Sequence, residues 1–254
     1  MAALVLATTS IAPAASPDRP PNVVLILSDD LGWSDTSLYG TTELYETPNI
    51  ARLADRGMVF TDAYAASPLC SPTRASILTG QTPARHGITA PTAHTREDNP
   101  SFRASVRENA PPGSKALGIR SVGPLDNEMP TLGKLIHEAG LATGHFGKWH
   151  LGHPPFSPLE HGFEIDLPHH PGPGPGGSFI APWSYAHYDN GRPGEHIEDR
   201  MASEAAVWIR EQSEENRPFY LQFWQFSVHA PFDAKPELKE KYAGEVDPDE
   251  DIDT

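Results

Sequence analysis

The sequence predicts an α/β fold, a mostly parallel central sheet with helices on both faces. Three observations predict it. Short β-branched and aliphatic runs alternate with stretches of helical periodicity. The strand-like runs are continuously apolar, as strands buried on both faces of a sheet are. Charged residues gather just beyond the ends of those runs, where the crevice of a parallel sheet lies.

The elements follow in chain order. Residues 22–27 form the first strand, which ends at Ser28-Asp29-Asp30. Residues 48–56 are a short amphipathic helix with Ile50, Leu53 and Ala54 inward, closed by Gly57. Residues 58–64 read as a second strand, leading into the loop that carries Cys70. Pro72 stiffens the backbone, and residues 73–78 open a helix. Residues 84–129 are polar, Pro-rich and weakly periodic, so they read as a surface excursion. Thr131 caps a helix through Leu132, Leu135 and Ile136, and Gly140 stops it. The strand at 141–146 then delivers Gly147-Lys148-Trp149-His150. Residues 154–195 include a Pro-Gly run at 171–177 that can form neither helix nor central strand. That region is either a pocket wall or a decorative insertion. Residues 199–215 are the clearest helix, with Met201, Ala205, Trp208 and Ile209 on one stripe. Residues 218–226 are the last strand, emptying into Ser227-Val228-His229-Ala230-Pro231.

Composition narrows the function classes. The formal charge of -15, from 19 Lys+Arg against 34 Asp+Glu, argues against a nucleic-acid partner. An anionic small substrate stays open, because a few local cations and a metal can build one positive pocket. The 27 Pro and 21 Gly require much ordered loop, and the length suits one large α/β domain at residues 20–254. Residues 1–19 are an apolar stretch with a small-residue segment at Ala14-Ala15-Ser16 and no Lys or Arg before Arg19. They read as a signal peptide or a disordered leader, and export to a periplasmic or extracellular space is the expectation. No other run is long and apolar enough to span a bilayer.

Candidate chemistry sits at the strand ends. Cys70 is the single cysteine, so no intrachain disulfide can claim it. A positive helix end and Arg74 would favour an anion there, yet reactive chemistry and inert burial both remain open. Asp29 and Asp30 are either a turn or a hard-cation site suited to Ca²⁺ or Mg²⁺ rather than zinc. In an extended segment Lys148 and His150 point the same way, pairing a fixed cation with a titratable ring. His229 alone would be structural. His86 braces its loop, and His169-His170 are a pocket pair or, in preference, a solvated surface pair. His94 and the remaining histidines carry no functional assignment.

Cys70-Ser71-Pro72-Thr73-Arg74, running on into Leu78-Thr79-Gly80, resembles the signature of the type I sulfatases of the alkaline phosphatase superfamily. Similar segments run from Pro21 to about Phe232. The resemblance implies an alkaline phosphatase-like fold that here lacks its carboxyl-terminal part. It implies that a maturation enzyme oxidises Cys70 to formylglycine, whose hydrate is the nucleophile. Asp29, Asp30 and residue 70 would be the metal ligands, for Ca²⁺ ahead of Mg²⁺. Arg74 would hold the hydrate, Lys148 would bind sulfate oxygens, and His150 would contact the hydrate and help regenerate the aldehyde. His229 would lie beside the sulfate and leaving group as general acid. The implied activity is hydrolysis of a sulfate ester, of a sulfated carbohydrate in preference to an aryl or steroid-like ester. Two rivals stand beside it. One is a phosphonate monoester or phosphodiester hydrolase with the same modified residue. The other is an inactive, truncated sulfated-glycan-binding remnant, because the family's second pair of metal ligands and a further Lys are not identifiable before Thr254.

Overall fold

The structure is a computed structural model that describes residues 19–94, 101–102, 105–106, 109–110 and 112–245. The apolar leader and the acidic tail at 247–254 lie outside the described residues. In chain order the elements are β1 (Val23–Leu27), α1 (Pro48–Ala54), α2 (Cys70–Thr79), α3 (Pro83–His86), β2 (Ser105–Val106) and β3 (Ile119–Arg120). They continue with α4 (Leu132–Glu138), β4 (Ala142–Gly147), β5 (Ile165–Leu167), α5 (Ile197–Glu214), β6 (Phe219–Trp224) and α6 (Pro236–Ala243). The main sheet has the order β1-β6-β4-β5 with every ladder parallel, and β2 and β3 form a small antiparallel pair.

The period of two along β6 explains why this strand is central. Phe219, Leu221 and Phe223 face one layer, where Ile197, Met201, Ala205 and Trp208 of α5 cover them. Tyr220 and Trp224 face the other, against Ala75 and Leu78 of α2 with Leu132 and Ile136 of α4 packed alongside. Helices thus cover both faces, as the alternating pattern requires. Burying each such side chain contributes about 1.5–3 kcal/mol. β1 follows the same alternation with a different outcome. Leu25 and Leu27 join the α2 layer, while Val24 and Ile26 on the opposite face stay 46% and 56% exposed.

Several expectations need correction. Residues 58–64 form no strand, and Met58, Phe60 and Tyr64 are exposed. A strand needs a ladder and a layer to bury its apolar face; this segment has neither among the described residues. Leu53 of α1 also faces solvent. The two supposed excursions are not peripheral. The first sends Ile88, Ala93, Val122 and Leu125 into the core, and the second sends Phe163, Phe179, Ala181, Trp183 and Tyr185. The second also supplies β5, the sheet's outer strand beside β4.

The end of β4 is shaped by one glycine. Gly147 has φ +110, and a Cβ there would sit 1.9 Å from the Trp224 carbonyl oxygen. That same carbonyl accepts the Lys148 N–H at 2.7 Å. Gly147→Ala is therefore expected to destabilise the fold by about 3 kcal/mol, from backbone strain and a displaced ladder. Urea unfolding should show a lower midpoint at constant m; an unchanged midpoint would refute the close approach.

Candidate active site

Because β1, β6 and β4 run parallel with Leu27, Trp224 and Gly147 in register, their carboxyl ends finish at one level. The loops leaving that level carry Asp29, His229 and Lys148. Two backbone bonds join the first pair of loops: Asp29 N–H donates to Ser227 O at 2.9 Å, and Val228 N–H donates to Asp29 O at 2.7 Å. The first turns of α2 place Cys70 and Arg74 four residues apart, on one side of the helix.

Asp29 is the hub. Its Oδ1 accepts from Arg74 Nη2 at 2.9 Å, and its Oδ2 accepts from Lys148 Nζ. The same Nζ lies 3.6 Å from Cys70 Sγ. Arg74 Nη1 donates to the Lys148 carbonyl at 2.6 Å, and its guanidinium lies over the Trp224 ring, 4.9 Å from the centroid. Arg74 is 1% exposed and Lys148 0%, so two buried cations face one buried carboxylate. With Asp30 lining the same cavity, two cations and two carboxylates meet around Cys70. Burial alone would raise the Asp29 carboxyl, but Arg74 and Lys148 reverse that and hold it below the usual carboxylate range. For Cys70, burial pushes the thiol up, and the opposing charge of Lys148 does not overcome it. The thiolate favoured by the helix end is therefore not what this environment produces.

Asp29, Cys70 and His229 each offer a ligand atom within 4.8 Å of one another. Asp30 adopts φ +59 and turns its exposed carboxylate toward His229, with Oδ2 3.9 Å from Nε2. The Nδ1–H of His229 donates to Ala230 O at 2.6 Å, which leaves Nε2 as the free nitrogen of that ring. A cavity of about 350 Å³ opens over Ser28, Asp29, Asp30, Cys70, Thr73 and Arg74.

Lys148 and His150 do not share one extended path. Gly147 and His150 both have positive φ, so the segment is not uniformly extended. Lys148 reaches Asp29 and Cys70, whereas the His150 ring meets His94, with Nε2···Nδ1 at 2.6 Å. Burial, then the charges of Lys148, His94 and Arg74, drive His150 down to about 2, so its ring is neutral. His86 braces α2 as expected, with Ile88 N–H donating to its Nδ1 at 3.1 Å and Nε2 3.0 Å from Ser76 Oγ. His169 and His170 are not a solvated pair. His169 bonds Asp166 at 2.7 Å, and His170 packs edge-on to Tyr185, both half-buried.

Two residues escaped sequence reasoning. Glu198 Oε1 accepts the Phe226 and Ser227 N–H groups at 2.7 and 2.9 Å, which anchors the loop leading to His229. The helix expected at 199–215 left it just outside, whereas α5 begins at Ile197 and takes it into the first turn. His94 gave no signal beyond its residue type.

A family model described as Sulfatase matches residues 21–254. The chain belongs to the sulfatase family. N-acetylgalactosamine-6-sulfatase of Canis lupus familiaris is 35% identical over 244 residues, covering 90% of this sulfatase chain and 43% of the relative. Ps i-CgsB, solved in complex with k-i-k-neocarrahexaose, matches with TM-score 0.67 at 25% identity, over 91% of this chain and 50% of its own. BT4656, solved in complex with its substrate D-glucosamine-2-N,6-O-disulfate, shares the fold with TM-score 0.64 at 23% identity, over 92% and 40%. The chain thus spans half or less of the length of these relatives. The alkaline phosphatase-like sulfatase fold extends over most of it. Family membership implies formylglycine and a divalent metal. Among the described residues, no helix of this sulfatase is long and apolar enough to cross a membrane.

Proposed function

We propose that this protein is an exported hydrolase of sulfate esters on a sulfated carbohydrate. In this reading a maturation enzyme converts Cys70 to formylglycine, and Asp29, Asp30 and residue 70 hold Ca²⁺. The observation that carries the reading is the Lys148 ammonium, bonded to Asp29 and 3.6 Å from the Cys70 sulfur. It concentrates positive charge beside the one residue positioned to react. The carbohydrate class is supported by N-acetylgalactosamine-6-sulfatase, the named activity of the 35% identical relative, and by the disulfated glucosamine held by a structural neighbour. Export is supported by the apolar composition of residues 1–19.

The donor chemistry suits the metal once residue 70 is oxidised. Two carboxylates are hard oxygen donors, and oxidation replaces a soft sulfur with a third oxygen. Ca²⁺ tolerates such an irregular set better than Mg²⁺, which demands a near-octahedral one. When bound, the ion would supply Lewis acidity and make a hydroxyl at residue 70 nucleophilic near neutral pH. Lys148 and Arg74 hold the sulfate oxygens by charge, and Arg74, locked by Asp29 and Trp224, orients without moving. His229 carries the proton for the departing alcohol on Nε2, the nitrogen its Ala230 bond leaves free. His150 is the base that the family resemblance implies for regenerating the aldehyde, and its buried Nδ1 has no partner among the described residues.

The test compares matched sulfate and phosphonate esters on the matured protein, with mass spectrometry of the Cys70 peptide. Aldehyde in place of thiol and a sulfate preference of at least about a hundredfold (a difference of about 3 kcal/mol) are expected. Faster phosphonate hydrolysis would turn the assignment to the phosphonate monoester or phosphodiester class.

A further inference from the structure

His94 carries an inference that rests on the reading above, in which His150 is a base. We propose that His94 is a positioning residue that fixes His150 with its proton on Nε2 and a bare lone pair on Nδ1. The two rings approach with Nε2 of His150 2.6 Å from Nδ1 of His94 and centroids 4.3 Å apart. At that separation one proton must lie between the nitrogens, since two lone pairs or two N–H groups would repel.

The other nitrogen of His150 decides who owns the proton. Nδ1 of His150 is buried with no hydrogen-bond partner among the described residues. Were the shared proton on His94, Nδ1 of His150 would be an N–H without an acceptor, the rarest kind of orphan in a protein interior. With the shared proton on His150, the orphan is a lone pair. The positive charges of Lys148 and Arg74 act on this ring and disfavour a second proton, so it carries one. A ring so held can accept a proton and cannot donate one from the free nitrogen. His94 is itself well placed for the task. It follows Ala93, which is 0% exposed, in a loop pinned where Thr89 and Ala90 N–H donate to Ser121 Oγ at 3.0 and 3.3 Å.

The experiment is long-range ¹H–¹⁵N correlation of the labelled 254-residue chain, with the His150 ring assigned by its loss in His150→Gln. The wild-type ring should show a protonated Nε2 and an unprotonated Nδ1. His94→Asn keeps an acceptor at the same place and should preserve that tautomer. His94→Phe fills the space without an acceptor and should lower the tautomer ratio by about fivefold, the worth of one net hydrogen bond. A merely structural role would leave the ratio unmoved. A protonated Nδ1 in the wild type, or an unchanged ratio in His94→Phe, overturns the proposal. The wild-type spectrum alone decides it if the Phe variant does not fold. None of these readouts needs turnover, so absent sulfate ester hydrolysis with the tautomer intact removes the functional reading and leaves the role of His94 standing.

Discussion

Replacing Cys70 by Ala is expected to abolish sulfate ester hydrolysis by the matured protein while leaving its fold intact. Removing a nucleophile costs on the order of 10⁶-fold in kcat, because the remaining groups bind and polarise but cannot attack. The structural cost is small for separate reasons. Cys70 is half-buried, opens α2 and has its sulfur 3.6 Å from Lys148 Nζ. Ala suits a helix at least as well. The change in unfolding free energy should be within about 1 kcal/mol. Turnover of a sulfate ester and a urea midpoint, measured on one preparation, check both halves. Hydrolysis retained by the Ala variant would remove residue 70 from the mechanism.

Asp29→Ala should behave in the opposite way and damage the fold itself. The carboxylate is the shared partner of two buried cations. Taking it away leaves Arg74 and Lys148 in the interior without a counter-charge, a loss of about 3–5 kcal/mol. The side chains involved are 7% exposed or less, so solvent screening offers little relief. Adding Lys148→Met to Asp29→Ala should recover part of the loss, since one uncompensated charge goes with it. Chemical unfolding of the single and double variants reads this directly. Equal stability of the two would mean that the cations do not depend on Asp29.

These expectations also mark how much was legible in the sequence. β1, α4, β4, α5 and β6 lie within about two residues of their expected places, because each announces itself by local periodicity. The strand ends then locate Asp29, Lys148 and His229, and the family resemblance supplies the roles expected of them. What failed depended on distant partners. Residues 58–64 have a strand's composition, but pairing is decided elsewhere in the chain. Phe179, Ala181, Trp183 and Tyr185 alternate as a strand would, yet the adjoining Pro-Gly run and Pro182 hid the signal. Arg74 and Asp29 meet across 45 positions, and Lys148 and Cys70 across 78. Such meetings belong to topology, and no window of sequence displays them. The turn of His150 toward His94 needed φ +60 at His150, which its residue type does not announce.

The place of β1 in the sheet has a mechanical consequence. Among the described residues this strand leans on β6 alone, whereas β6 and β4 are each clasped from two flanks. Asp29 and Asp30 therefore ride on a rib held from one flank, and Lys148 on one held from both. On gentle heating the acidic wall should peel away while the cationic wall still stands. An ion seated between them would act as a rivet, tying an outer rib to an inner one.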